Sequence, residues 1–110
     1  MLAVAQVEAR RSGDRWLITW RFDADEPEQI SSVWLPHSRF RAEAVAFAPA
    51  IQVPPAALVT TDVWCDGIPG ESIVNAFVIA RTANGPRYFR LRVDLAEGGE
   101  PRAVVERSTG

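Results

Sequence analysis

The chain has 110 residues, a formal net charge of −2 and 47% hydrophobic residues. A chain of this length forms one domain with a modest core, and this apolar content excludes a largely disordered protein. The charge excludes a strong global field that would draw the protein to nucleic acid or to a membrane. All 12 basic residues are arginine, which is typical of a GC-rich genome.

The cysteine count and the N-terminal sequence bear on the cellular compartment. Cys65 is the only cysteine, so the chain forms no internal disulfide, and this fits a reducing environment. The first residues lack the signal-peptide pattern of a basic segment followed by an apolar run, and no apolar run is long enough to span a membrane. We therefore expect a cytoplasmic protein without a membrane partner, or a domain excised from a longer chain.

The N-terminal part of the chain alternates between apolar and polar residues, which is typical of half-buried strands. Residues 2–11 and 15–23 predict a first hairpin around a tight turn at Gly13. In the pairing that this turn favours, Val7 lies opposite Trp20, so that a small residue packs against a large aromatic one.

An acidic loop follows the first hairpin. Residues 23–28 contain four carboxylates, Asp23, Asp25, Glu26 and Glu28. Hard cations such as calcium are bound by several oxygen ligands. The spacing, however, matches no calcium-binding loop, and the segment has no glycine for the sharp turn. We therefore interpret these residues as a solvated connection.

The middle of the chain contains one ambiguous segment. Residues 30–35 predict a strand. In residues 39–48, Phe40, Ala44 and Phe47 fit the stripe of an amphipathic helix, whereas every second residue is also apolar, as in a strand. The predicted strands on both sides favour a strand here.

Further segments complete the prediction. Residues 51–53 form a short extended piece between prolines, which are typical of sheet edges and crossovers. Residues 58–65 alternate and predict another strand. Residues 101–106 predict a last edge strand, so that a single domain spans residues 1–106, and residues 107–110 are expected to fray.

The central hairpin pairs residues 72–82 with residues 87–95 and determines the predicted faces of the sheet. The second strand alternates cleanly between apolar and polar residues, whereas the first is apolar on both faces. A two-residue Asn-Gly turn requires an N–H from Pro86, which has none. We therefore expect a three-residue loop, Ala83–Gly85, with the glycine in the left-handed region.

This loop decides which side chains point inward. It sets Ile79 opposite Phe89 and Phe77 opposite Leu91, so that the four large residues share the core. The other face then carries small apolar residues beside tyrosine and arginine, a mixture typical of a protein contact surface. This interface candidate comprises Ala76, Val78, Ala80, Tyr88, Arg90 and Arg92. The alternative is an ordinary outer face that arginine stems shield from water.

Seven or eight short strands separated by turns predict an all-β fold, an antiparallel β-sandwich of Greek-key type. In layout the chain resembles immunoglobulin-like and fibronectin type III-like modules. The cysteine pair of immunoglobulin domains is absent, since only Cys65 is present, and either Trp20 or Trp34 takes the place of the buried tryptophan. This fold carries many functions, so the resemblance predicts architecture alone.

Few side chains in the sequence suggest catalysis. His37 and Cys65 are the only histidine and the only cysteine, and Cys65 is predicted to face the core, where a thiol is inert. One histidine and one cysteine do not make a transition-metal site. The sequence contains no phosphate-binding loop, serine elbow or dinucleotide motif. We therefore expect no enzyme activity, no metal and no cofactor.

Two other features suggest binding. Trp34 and Trp64 are candidate platforms for a ligand, since aromatic side chains stack on sugar rings. The arginines around Tyr88 are of the kind that binds single-stranded nucleic acid, yet such proteins usually carry a positive excess that this chain lacks. We therefore expect a protein partner or self-association, and no nucleic acid.

These expectations define one function and one alternative. The first is a non-catalytic β-sandwich interaction module that acts as a homodimer or an accessory subunit through an outer sheet face. The alternative is a carbohydrate-binding or small-ligand-binding module that uses exposed Trp34 and Trp64.

Overall fold

A computed structural model of the protein describes residues 1–109, and all of their regular structure is β-strand. Every pair of neighbouring strands is antiparallel, which confirms the predicted all-β antiparallel fold. The strands are β1 (Leu2–Ser12), β2 (Arg15–Ala24), β3 (Glu28–His37), β4 (Phe40–Val53), β5 (Ala57–Cys65), β6 (Ser72–Thr82), β7 (Gly85–Leu95) and β8 (Pro101–Thr109).

The strands form one sheet in the order β1-β2-β5-β4-β3-β6-β7-β8. The sheet curls until its two edge strands, β1 and β8, lie side by side, so the fold is a nearly closed, barrel-like sheet. The pairing between β4 and β5 is short, because only Phe40 with Cys65 and Arg41 with Trp64 are paired there. The two long parts of the sheet on either side of this joint are paired over many residues.

The inner face of the sheet carries the core. Trp20 and Phe40 meet edge to face with their ring centroids 6.4 Å apart, and Phe22 and Phe89 do so at 6.5 Å. Such ring pairs add to the gain from burial. The indole N–H of Trp20 donates to the Thr61 hydroxyl at 2.9 Å, so its polar atom is satisfied in the interior. Trp20 is therefore the buried tryptophan of this fold.

β1 contains a bulge that the alternation did not predict. Gln6 lies opposite Trp20, the pairing shifts between Gln6 and Glu8, and Val7 is exposed at the surface. The prediction that Val7 lies opposite Trp20 is wrong, because an extra residue in one strand of a pair changes the register beyond it.

The side chain of Gln6 joins the two edge strands. Its Nε2 donates to the Pro101 carbonyl at 2.9 Å, and its Oε1 accepts from the Ala103 N–H at 2.8 Å. One amide side chain thus satisfies an acceptor and a donor of the β8 backbone at the seam. An open edge strand is a template for pairing with another chain, and this contact covers part of both edges.

The ambiguous segment, residues 39–48, lies in a strand rather than a helix. β4 also includes the short extended piece, residues 51–53. Residues 47–50, which contain Pro49, have no partners in β3 and form a bulge between the paired parts of the strand. Proline cannot donate to a ladder, so a bulge is one of the few places where a strand accommodates it.

β8 extends beyond the predicted last strand. Arg107 pairs with Arg90, and Ser108 pairs with Phe89. The expectation of a frayed tail is wrong for residues 107–109, because their backbone groups pair with the edge that β7 offers them. Gly110, the last residue of that expected tail, lies outside the described residues.

The central hairpin has a shorter loop than predicted. Thr82 pairs with Gly85, so the loop contains only Ala83 and Asn84. The Thr82 hydroxyl donates to the Gly85 carbonyl at 2.7 Å and accepts from the Asn84 N–H at 3.1 Å, and Gly85 has φ +105°. The predicted three-residue loop is wrong, because Pro86 falls at the next pair of the ladder, where an antiparallel hairpin needs no N–H.

This register reverses the predicted faces of residues 76–80 in β6. Val78 lies opposite Phe89, and both are buried. A shift of one residue moves every side chain of a strand to the other face. Phe77 and Ile79 therefore lie on the outer face, whereas Phe89 and Leu91, which were expected to share the core with them, are buried.

Substitution of Gln6 tests the seam. In Gln6→Glu the ionised carboxylate faces the Pro101 carbonyl and cannot donate to it, so we expect the free energy of unfolding at neutral pH to fall by about 2 kcal/mol. Gln6→Leu should cost a similar amount, because it also leaves the backbone of β8 without its partners. Urea unfolding followed by tryptophan fluorescence measures both losses.

The glutamate variant also adds a pH dependence. Only the neutral acid can donate to Pro101, so the folded state raises the pKa of Glu at this position above its ordinary value. Protonation of the glutamate therefore restores stability to Gln6→Glu. This gain is complete below about pH 4 and is lost as the pH rises through the raised pKa. Gln6→Leu is the control, because its loss should not depend on pH. A constant difference between Gln6→Glu and the wild type at every pH would contradict the contact.

Candidate interaction surface

The predicted interface residues divide between the two faces of the sheet. Ala76, Val78 and Ala80 are fully buried in the core. Their assignment to a contact surface is wrong, because the register of the hairpin turns them toward the large side chains on the inner face of β7. The other members lie on the outer face of β7, as predicted: Tyr88, Arg90 and Arg92.

A row of large side chains crosses three strands on the outer face. Trp34 on β3 pairs with Ile79 on β6, which in turn pairs with Tyr88 on β7. Directly paired residues have Cβ atoms about 5 Å apart, so the three side chains are contiguous. Trp34 is 45% exposed and Tyr88 39%. The structure thus brings a predicted ligand platform, Trp34, beside a predicted interface residue, Tyr88.

A second row lies next to the first. Phe77 on β6 pairs with Arg90 on β7, which pairs with Arg107 on β8. Together with Tyr88, these side chains line a groove of about 200 Å³. We call the two rows the outer-face patch, and its members are Trp34, Phe77, Ile79, Tyr88, Arg90 and Arg107.

The arginine beside the patch is neutralised by carboxylates. Arg92 Nε lies 3.1 Å from Asp94, and Arg92 Nη1 lies 3.7 Å from Glu106. The Ser72 hydroxyl donates to Asp94 at 2.6 Å. This hydrogen bond, followed by that from Arg92, lowers the pKa of Asp94 below its ordinary value. The charge of Arg92 is therefore compensated by carboxylates on β7 and on the adjacent strand β8.

Among the described residues, the arginines of the patch have no such partners. Within residues 1–109 no carboxylate lies in salt-bridge distance of Arg90 or Arg107, although the two are paired directly across β7 and β8. Arg90 Nε is also buried without a hydrogen-bond acceptor, the one such side-chain atom in the described residues. The patch therefore combines exposed aromatic surface with uncompensated positive charge.

Trp64 lies away from this patch. It is on β5, and β4 separates β5 from the strand that carries Trp34. The Arg41 guanidinium lies 5.5 Å from the centroid of the half-buried Trp64 ring, and such a cation contact occupies a ring face. The two tryptophans predicted as ligand platforms are therefore not brought together.

The two candidate catalytic side chains occupy separate strands. Phe40 on β4 pairs with His37 on β3 and with Cys65 on β5, so it stands between them. His37 Nδ1 accepts from the Arg39 N–H at 3.0 Å within the β3–β4 turn. Burial raises the pKa of the Cys65 thiol to about 11. The thiol is therefore protonated at neutral pH and is a poor nucleophile.

The carboxylates of the acidic loop point to different partners. Asp25 pairs with the ammonium group of Met1, and Glu28, which is buried at the start of β3, lies 3.3 Å from Arg87. In the part of the chain that the structure describes, no group of three or more His, Cys, Asp or Glu side chains is placed to hold a metal ion.

No family model matches the chain, and neither the curated proteins nor the solved structures contain a significant match. The geometry of the outer face is therefore the basis for assigning a function. Separately, no helix in residues 1–109 is long and apolar enough to cross a membrane.

Half of the residues of the outer-face patch were not predicted from the sequence. Phe77 and Ile79 were assigned to the core, although a strand that is apolar on both faces signals that its outer face is also covered or unusual. Arg107 was assigned to a frayed tail, and no local pattern indicates that β8 continues through it. Only the pairing of β7 with β8 places Arg107 beside Arg90.

The face assignment of β6 predicts unequal losses of stability for two neighbouring substitutions. Val78→Ser should lower the free energy of unfolding by about 2–4 kcal/mol, because it leaves a cavity and buries a hydroxyl. Ile79→Ser removes a larger side chain from the outer face and should cost only about 1 kcal/mol. Urea denaturation compares the two, and a larger loss for Ile79→Ser would show that the faces are exchanged.

Proposed function

We propose that the protein is a non-catalytic interaction module that associates, as a homodimer or as an accessory subunit, through the outer-face patch. The observation that carries this proposal is the outer-face row in which the exposed Trp34 and Tyr88 flank the half-buried Ile79 across three paired strands. Large aromatic residues that are exposed on one face cost the free protein solvation energy, and burying them in a contact recovers it.

The composition of the patch supports a contact with another macromolecule. Trp, Tyr and Arg are the residue types that contribute most to binding energy at protein interfaces. Here Trp34, Tyr88 and Arg90 occur on adjacent rows of one sheet face. They project from strands paired on both sides, so their positions are set before binding and little conformational entropy is lost on association.

The absence of enzyme activity and a cytoplasmic location belong to the same proposal. The raised pKa of Cys65 and the engagement of His37 in a turn support a non-catalytic role. A single cysteine that takes part in no disulfide supports a reducing compartment. We propose no cofactor, since the function needs none.

We further propose that the fold is a variant of the immunoglobulin-like or fibronectin type III-like sandwich. Lettered in chain order, β1-β2-β5-β4 corresponds to the sheet A-B-E-D and β3-β6-β7 to the sheet C-F-G of that fold. The long β3–β4 pairing and the added strand β8 are the differences that give the sheet its barrel-like closure.

A photoreactive amino acid tests where the protein makes contact. Replacing Tyr88 with p-benzoylphenylalanine places the reactive group in the patch, and replacing Leu58, which is 66% exposed on the distant strand β5, is the matched control. Irradiation of cells should give a covalent adduct, with a second copy or with another protein, at position 88 and not at position 58. Adducts of equal yield at both positions, or at 58 alone, would contradict the proposal.

The alternative function is binding of a carbohydrate or another small ligand on Trp34, which its exposure favours. Trp64 contributes less to this alternative, because Arg41 lies over its ring. Titration with a panel of oligosaccharides should then change the intrinsic fluorescence of the wild type and not that of Trp34→Phe. Fluorescence that stays unchanged across the panel excludes this alternative.

A further inference from the structure

Two arginines of the outer-face patch stand directly opposite each other. Arg90 and Arg107 are cross-strand partners on β7 and β8. Like charges in this position repel and destabilise a sheet. Elsewhere on β7 an arginine is compensated by carboxylates, as Arg92 is by Asp94 and Glu106. No carboxylate of residues 1–109 does so for Arg90 or Arg107.

Arg90, which lines the groove between these arginines, has an unsatisfied donor. Its Nε is buried and has no acceptor in the described residues. Leaving a buried charged donor unpaired is costly, and a guanidinium group can donate two parallel hydrogen bonds to a carboxylate. The groove walls are Phe77 and Tyr88, so an acceptor bound there is partly shielded from water, and this strengthens the contact.

A third arginine extends the positive charge along the patch. Arg81 lies on the outer face of β6, opposite Ser32 on β3 and Pro86 on β7. It too has no carboxylate within salt-bridge distance in residues 1–109. Three arginines without such a partner in residues 1–109 therefore lie on neighbouring strands of one face, in a chain whose net charge is −2.

We infer that the patch binds an acidic segment of a partner protein, which places carboxylates in the groove against Arg90 and Arg107 and apolar side chains on Trp34 and Ile79. This inference rests on the proposed association function and specifies the partner's chemistry. Charge complementarity selects this occupant, because opposite potentials across an interface attract and suppress wrong partners.

The same charges disfavour the other occupants. In a two-fold dimer each copy presents the same surface, so the uncompensated arginines of one copy meet those of the other. Nucleic acid is disfavoured because the chain lacks the positive excess of nucleic-acid-binding domains. A carboxylate-bearing protein segment satisfies the groove without either difficulty.

Fluorescence anisotropy with the full chain tests this inference. The probes are a fluorescein-labelled peptide of alternating Glu and Leu and a matched peptide of alternating Gln and Leu. We expect the Glu peptide to bind, the Gln peptide to bind at least about tenfold more weakly, and added salt to weaken only the former. Arg90→Gln/Arg107→Gln should weaken the Glu peptide about tenfold or more.

Arg10→Gln/Arg11→Gln is the matched control, since it changes the net charge equally at the β1–β2 hairpin, away from the patch. It should change the affinity less than about twofold. Arg90→Gln/Arg107→Gln should also unfold at the same or a higher temperature than the wild type, because it removes a repulsive pair.

Arg90→Lys keeps the charge and loses the bidentate geometry, and an affinity for the Glu peptide between those of the wild type and the double variant supports the assigned contact.

The contrary outcomes separate this inference from the proposed function. One contrary outcome is that both peptides bind equally, that Trp34→Ser abolishes this binding and that the arginine variants leave it intact. This outcome overturns the inference and keeps the association surface. Binding of neither peptide overturns the inference, while the crosslinking result decides the function independently. Tighter binding of single-stranded oligouridine than of the Glu peptide overturns it in favour of nucleic acid. A dimer that Arg90→Gln/Arg107→Gln dissociates overturns it in favour of a second copy.

Discussion

The outer face of this protein depends on one turn. The Thr82 hydroxyl bridges the Gly85 carbonyl and the Asn84 N–H and so closes a two-residue loop. That loop fixes the register of residues 76–82 of β6 against β7, and hence the faces of their side chains. Because β6 also pairs with β3, the same register places Ile79 beside Trp34. A slip of one residue would bury the large side chains and leave alanines in their place.

The curled sheet has two weak joints. One is the seam between β1 and β8, where the Gln6 amide takes the place of a backbone ladder. The other is the short pairing of β4 with β5. The patch spans β3, β6, β7 and β8, which are successive neighbours in the sheet. Its residues are paired with one another across these strands, as expected for a preorganised contact surface.

Charge in this protein is a local property. The net value of −2 describes the whole chain, yet neighbouring arginines differ in their surroundings. Arg92 is neutralised by Asp94 and Glu106, whereas Arg90, two residues earlier on the same face, pairs with Arg107 and has no carboxylate of residues 1–109 within salt-bridge distance. The net charge excludes a global attraction to polyanions, but it does not determine the local charge of a groove whose residues are brought together by strand pairing.

The sequence by itself determined the class of fold, the main strands and the outward position of Tyr88, Arg90 and Arg92, because alternation along a strand is a local signal. It did not determine the bulge at Val7, the length of the central loop or the strand character of residues 107–109. These depend on which hydrogen bonds a distant or neighbouring strand offers. The faces of β6 were decided only by tertiary structure, since a strand that is apolar on both sides fits either register and only its neighbours choose between them.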